Sequence, residues 1–237
     1  MLGLPSGTRA CLFDLDGVLT QTAKVHAAAW KDMFDAYLRE RSQQTGEPFT
    51  PFEQADYSRH VDGKLRVDGA RAFLASRGIV LPDDEVDRLA ERKDALLVEL
   101  LRTKHVETYE GSVRYVKAVR KAGLRTGVVS ASQHCKQVLE SAGIDSLFDT
   151  RVDGLVAEAE HLAGKPAPDT FLAAAHVLGV EPPEAAVFED ALAGVDAGRA
   201  GHFGFVVGVD RKGQAAELRR HGADTVVSDL GALLEEP

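Results

Sequence analysis

Cysteine is scarce in this 237-residue chain, which carries only Cys11 and Cys135. Neither has a nearby partner in sequence, so a disulfide framework is excluded and both read as reduced thiols of a cytoplasmic protein. No His/Asn set is ordered around Cys135, which argues against a cysteine nucleophile. Basic residues are outnumbered, 28 Lys and Arg against 37 Asp and Glu, for a formal charge of −9. That balance argues against a nucleic-acid or anionic-membrane surface, both of which need basic patches. It leaves room for a small anionic substrate, because a metal and a few placed cations can invert the field locally. No apolar run approaches the roughly 18 residues of a membrane span. The opening segment, residues 1–7, lacks the basic and apolar regions of a signal peptide. No repeat or low-complexity tract occurs, and nothing demands more than a monomer.

What is present is an ordinary globular composition, 44% hydrophobic and 27% charged, in a chain long enough for one large domain or two modest ones. Short, continuously apolar runs at 9–13, 124–130, 185–188, 203–209 and 225–227 suit a parallel sheet covered on both faces. Helical patterns at 112–122, 133–142, 168–178, 192–200 and 213–221 separate the later runs. Gly123, Gly143, Gly179 and Gly222 stand where those helices should end. This alternation predicts an α/β fold, a Rossmann-like doubly wound parallel sheet. Residues 22–107 break the rhythm and read as helices, with apolar stripes at Val25, Ala28, Ala29, Met33 and Ala36 and at Leu89, Leu96, Leu97, Leu100 and Leu101. The expected organisation is a catalytic core, 1–21 plus 108–237, with an inserted α-helical cap domain, 22–107.

The chemistry concentrates where strands should end. The first apolar run stops in Asp14-Leu15-Asp16-Gly17, two carboxylates that packing alone would not favour there. They make sense beside a cation, or if one attacks while the other handles a proton; the ordinary alternative is an Asp-rich turn. The second run ends in Ser130-Ala131-Ser132, either a helix cap or a cradle for an anion. Lys165 is held between Gly164 and Pro166 in a stiff turn before a helix that Pro168 can start. Glu189-Asp190 closes another buried run, where Asp190 alone would pass as a helix N-cap.

Taken in order, Asp14–Thr20, Ser130, Lys165 and Glu189–Asp190 resemble the four motifs of the haloacid dehalogenase superfamily of phosphotransferases. The resemblance implies Asp14 as nucleophile, since an ionised carboxylate needs no base to attack phosphorus, and Asp16 as general acid/base. It implies Mg²⁺ held by Asp14, Asp190 and the Asp16 carbonyl, with Glu189 close by. Ser130, the Ala131 N–H and Lys165 would bind the transferring phosphoryl group.

The stretch 22–107 resembles that of the β-phosphoglucomutase-like subfamily at two places. Thr22, His26 and Trp30 follow the acidic loop at helical spacing, although a His packed on a Trp is the ordinary alternative. Gly63 and Arg66 match a cap loop whose arginine grips the substrate's distal phosphate. Lys93, in an Arg-Lys pair that would otherwise be read as solvated, resembles an addition to that subsite. Gln21 departs from the usual Asp, and Asp62 stands where a basic residue can sit. The implied activity interconverts β-D-glucose 1-phosphate and glucose 6-phosphate through an aspartyl-phosphate, with glucose 1,6-bisphosphate as activator and intermediate. The alternatives are a sugar-phosphate phosphatase and a non-catalytic binding protein on the same fold.

Overall fold

The computed structural model describes residues 2–103 and 106–234. In chain order the elements are β1 (Ala10–Phe13), α1 (Ala23–Thr45), α2 (Gln54–Asp56), α3 (Arg66–Ser76), α4 (Asp83–Thr103), α5 (Glu110–Lys121), β2 (Arg125–Val129), α6 (Cys135–Ser141), β3 (Thr150–Val152), α7 (Gly154–Ala159), α8 (Asp169–Leu178), β4 (Ala185–Glu189), α9 (Leu192–Ala200), β5 (Phe205–Val209), α10 (Ala215–His221) and β6 (Thr225–Val227). The chain divides into two compact units. One comprises Met1–Gln21, Gly63–Leu65 and Val106–Pro237, the other Thr22–Asp62 and Arg66–His105. No helix among the described residues is long and apolar enough to cross a membrane.

The first unit holds a parallel sheet of order β3-β2-β1-β4-β5-β6, a Rossmann-like doubly wound α/β fold. Its central strand is apolar at every position because both faces are covered. Ala10 and Leu12 pack with Phe171, Val195 and Leu218 of the helices α8, α9 and α10. On the other face Phe13 stacks on Phe188 at 4.5 Å and meets Tyr115 of α5 edge-on at 6.3 Å. Burying a side chain of that size stabilises the fold by about 1.5–3 kcal/mol, and it anchors the residue directly before Asp14. The helices end as their glycines require: Gly123, Gly143, Gly179 and Gly222 all have positive φ.

Two elements escape the sequence reading, β3 and α7. The strand is three residues long, sits at the sheet edge with Arg151 at its centre, and among the described residues pairs with β2 alone. So short and polar a segment carries no periodic signal. The chain leaves this unit beside the point where it returns: Thr20 bridges Thr108, and the Gln21 N–H donates to the Glu107 carbonyl at 2.8 Å.

The second unit is helical. Its core is aromatic, with Phe34 of α1 against Trp30, Phe52 and Phe73 at centroid distances of 5.2, 5.2 and 4.2 Å. The buried stripe of α1 is therefore Ala29, Trp30, Met33, Phe34 and Leu38. Val25, Ala28 and Ala36, expected on that face, are only partly buried. Trp30 and Phe34 centre the buried stripe between Ala29 and Met33, which leaves Val25, Ala28 and Ala36 at its margin. Asp35 is buried for a structural reason: its carboxylate accepts the Phe52 N–H at 2.8 Å and pairs with Lys31 at 3.0 Å.

Candidate active site

Strand register assembles the site. Phe13 pairs with Val128 on one side and Phe188 on the other, so the next rung consists of Asp14, Val129 and Glu189. The Asp14 N–H donates to the Phe188 carbonyl at 3.0 Å. Lys165 spans this rung: its ammonium donates to Asp14 Oδ1 at 2.6 Å, Glu189 Oε1 at 2.6 Å and the Val129 carbonyl at 3.2 Å. Three donors meet three acceptors, over the face of Phe171 at 4.8 Å. The Lys165 side chain is only 2% exposed.

Burial raises the Asp14 pKa well above the carboxylate range; Lys165 opposes that shift, and the Glu189, Asp16 and Asp190 charges add to it. For Lys165, burial works against the charge, yet the Asp14 and Glu189 carboxylates outweigh it and hold the ammonium protonated. The carboxylates of Asp14, Glu189 and Asp190 bring ligand oxygens within 4.8 Å of one another. Three carboxylates gathered about the fully buried Lys165 ammonium, with the partly exposed Lys212 ammonium 3.2 Å from Asp190, still outnumber the cations. A hard all-oxygen donor set of this kind fits Mg²⁺. Gly17, at φ 94°, makes room for the Asp190 carboxylate, which a side chain there would overlap.

Asp16 lies on the turn that follows Asp14, closed by the Gly17 N–H to the Thr20 carbonyl at 2.8 Å. The Ser130 hydroxyl donates to Asp16 Oδ2 at 3.4 Å and accepts the Ser132 N–H at 3.1 Å. Ala131 follows on the same loop, its carbonyl so close to Gly154 that a Cβ there would lie 2.8 Å from it. The residues read from the four motifs thus share one edge of one sheet.

That edge also carries residues the sequence reading missed. The loop after β5 brings the Lys212 ammonium to 3.2 Å from Asp190 Oδ2, the Gln214 amide to 2.8 Å from the Asp190 carbonyl, and Arg211 Nε to 3.0 Å from the Gly17 carbonyl. The available signal was position: Asp210-Arg211-Lys212-Gly213-Gln214 follows an apolar strand at the end where open α/β sheets bind ligands.

In the helical unit, Lys93 of α4 is not solvated. It is 4% exposed, lies 3.3 Å from His26 Nδ1 and sits 5.2 Å from the Trp30 ring centroid. Trp30 is itself part of the aromatic core. Thr22 is buried before α1, and its carbonyl accepts the Val25 and His26 N–H groups. Arg66 pairs with Asp94 at 3.6 Å, beside Lys93 on the same helix, so Arg66 and the His26–Lys93 pair converge on one stretch of α4. Gly63 groups with the first unit. At φ 74° it is held so close that a Cβ there would come within 3.0 Å of the Ala191 Cβ.

Comparison with known proteins follows the same lines. The profile of the haloacid dehalogenase-like hydrolases matches residues 8–202. The β-phosphoglucomutase of Mycobacterium tuberculosis is 56% identical over 99% of this chain and 94% of its own length. That of Bacillus subtilis is 30% identical over 96% and 92%. A crystal structure of β-phosphoglucomutase from Clostridium difficile superposes with a TM-score of 0.78 at 27% identity, covering 95% of this chain and 93% of that one.

Proposed function

The chain belongs to the haloacid dehalogenase superfamily, in its β-phosphoglucomutase-like subfamily, and is an enzyme; on that premise we propose that it interconverts β-D-glucose 1-phosphate and glucose 6-phosphate with Mg²⁺. One observation carries the chemistry: the rung on which Asp14 and Glu189 share the Lys165 ammonium, with Asp190 adjoining and Asp16 two residues on. Similarity to two proteins named β-phosphoglucomutase, over nearly their full lengths, supports the mutase outcome.

In the first half-reaction an Asp14 oxygen attacks the phosphorus of bound glucose 1,6-bisphosphate. The phosphorus–oxygen bond to the sugar breaks, and Asp16 gives its proton to the departing oxygen. The second half-reaction reverses these roles at the other hydroxyl: Asp16 takes the proton, and the sugar oxygen attacks the aspartyl-phosphate. Lys165 and Ser130 hold the equatorial oxygens, so positioning and charge neutralisation supply most of the rate. Asp14, Asp190 and the Asp16 carbonyl would hold Mg²⁺, with Glu189 beside them, and the bound ion would neutralise phosphate charge. Arg66, Lys93 and His26 would receive the distal phosphate and the sugar.

The deciding assay supplies β-glucose 1-phosphate, Mg²⁺ and a trace of glucose 1,6-bisphosphate, and follows glucose 6-phosphate against free phosphate. Glucose 6-phosphate is expected. Phosphate alone would replace the mutase with a sugar-phosphate phosphatase, and neither product would favour a binding protein. Arg66→Ala should lower mutase kcat/KM roughly 10- to 100-fold, the value of hydrogen bonds to a charged group. Hydrolysis of a small phosphate ester lacking a distal phosphate should change little; equal losses would displace the second phosphate subsite from Arg66.

Mg²⁺ should also raise the melting temperature. At a hundredfold excess over Kd, binding stabilises the fold by about 2.7 kcal/mol. For a chain of this size that is about 5–10 °C. Asp190→Asn should remove most of that shift, and an undiminished shift would place the cation elsewhere.

A further inference from the structure

We propose that Arg211 is the positioning residue of the acidic loop, holding Asp16 in register for proton transfer; this rests on the phosphoryl-transfer reading above. The backbone between Asp16 and Asp190 is unusually constrained. Gly17 runs at positive φ with its Cα against the Asp190 carboxylate, and its N–H is committed to the Thr20 carbonyl at 2.8 Å. The orientation of the Gly17–Val18 peptide plane is set through its carbonyl. Arg211 Nε donates to the Gly17 carbonyl at 3.0 Å and fixes that plane.

Arg211 can do this because it is itself immobilised from three directions. Its Nη1 donates to the Ser228 carbonyl at 2.6 Å and pairs with Asp229 at 3.3 Å, and its Nη2 reaches the Ser112 hydroxyl at 3.4 Å. Its guanidinium lies 3.5 Å from the Tyr109 ring centroid, and Tyr109 in turn donates its N–H to the Leu19 carbonyl of the same acidic loop. A planar guanidinium suits this task, since several donors act at once in fixed directions. On the same loop, Gln214 holds the Asp190 carbonyl and Lys212 faces the Asp190 carboxylate. One loop therefore sets both acidic loops relative to each other, and a displacement of Asp16 by an ångström is enough to cost a proton transfer much of its rate.

The test measures incorporation of phosphate from acetyl phosphate into acid-precipitated protein, together with steady-state kcat and KM. Arg211→Gln should slow kcat roughly tenfold or more while KM stays within about twofold, and should leave phosphorylation by acetyl phosphate, whose acetate leaving group needs no proton, within about twofold. Arg211→Lys, which keeps the charge but not the fork, should fold more readily and recover only part of the rate. Free guanidinium should partly rescue Arg211→Ala. Arg199→Gln is the control for lost stability alone: Arg199 lies in the last turn of α9 and pairs with Asp224 at 3.3 Å. It should leave the rate within about twofold. If wild type forms no phosphoenzyme, the underlying reading fails. If wild type does, and kcat of Arg211→Gln falls no more than that of Arg199→Gln, or its phosphorylation by acetyl phosphate falls as far as its kcat, the positioning role is overturned.

Discussion

Asp14→Asn is expected to lower turnover at least about ten-thousandfold, for mutase and phosphatase chemistry alike, without unfolding the protein. An amide of the same shape fills the same space but cannot attack phosphorus. Its effect on stability should run the other way. Burial and the neighbouring acids raise the Asp14 pKa in the fold, so the folded state binds that proton more readily than the unfolded chain does. Stability tied to this group is then greatest at low pH and is lost as pH rises above the ordinary carboxylate range. At pH 8 the carboxylate is a cost to the metal-free fold. Asparagine removes that cost while Lys165 keeps its 2.6 Å bond to Glu189. Metal-free Asp14→Asn should therefore melt at or above the wild-type temperature, with a flatter dependence on pH. Activity near wild type would remove Asp14 from the reaction. A collapse in melting temperature would make its role structural.

Lys165→Met should produce the opposite signature, a loss of activity and stability together. Lys165 is the fully buried cation on the rung, and its removal leaves Asp14 and Glu189 facing each other without it. Breaking a buried pair from one side costs about 3–5 kcal/mol. At this chain length that lowers the melting temperature by roughly 6–20 °C. Stability should return as pH falls, because protonating a carboxylate removes the uncompensated charge. Combining Lys165→Met with Asp14→Asn should recover part of the loss, since the two residues share one interaction and their effects are not additive. A drop of only a degree or two, or strict additivity in the double variant, would mean that the rung is not coupled as its distances indicate.

The legible parts of the molecule are those that leave a local mark. Runs such as Cys11-Leu12-Phe13 announce buried strands because both their faces are covered. Gly179 and Gly222 mark helix ends because the left-handed turn there costs any other residue more. The acids at 14, 16, 189 and 190 stood out because each pair closes an apolar run, where carboxylates are costly unless used. What left no such mark is instructive. The strand Thr150–Val152 is too short to show a period, and Arg151 sits at its centre. Lys93 belongs to a charged pair on a helix, yet it is enclosed between His26 and Trp30. Its surroundings come from α1, nearly seventy residues earlier.

By itself, the sequence marked the candidate residues for phosphoryl transfer and the strands that deliver them. Residue type and the apolar runs before them are properties of a few neighbouring positions. Only the tertiary structure decided how they meet: the register that places Asp14, Val129 and Glu189 on one rung, the single ammonium that bridges them, and the late loop that brings Arg211 to Gly17. Those relations join residues up to 194 positions apart. Strand pairing and packing across the whole sheet set them, and no local pattern encodes which rung faces which.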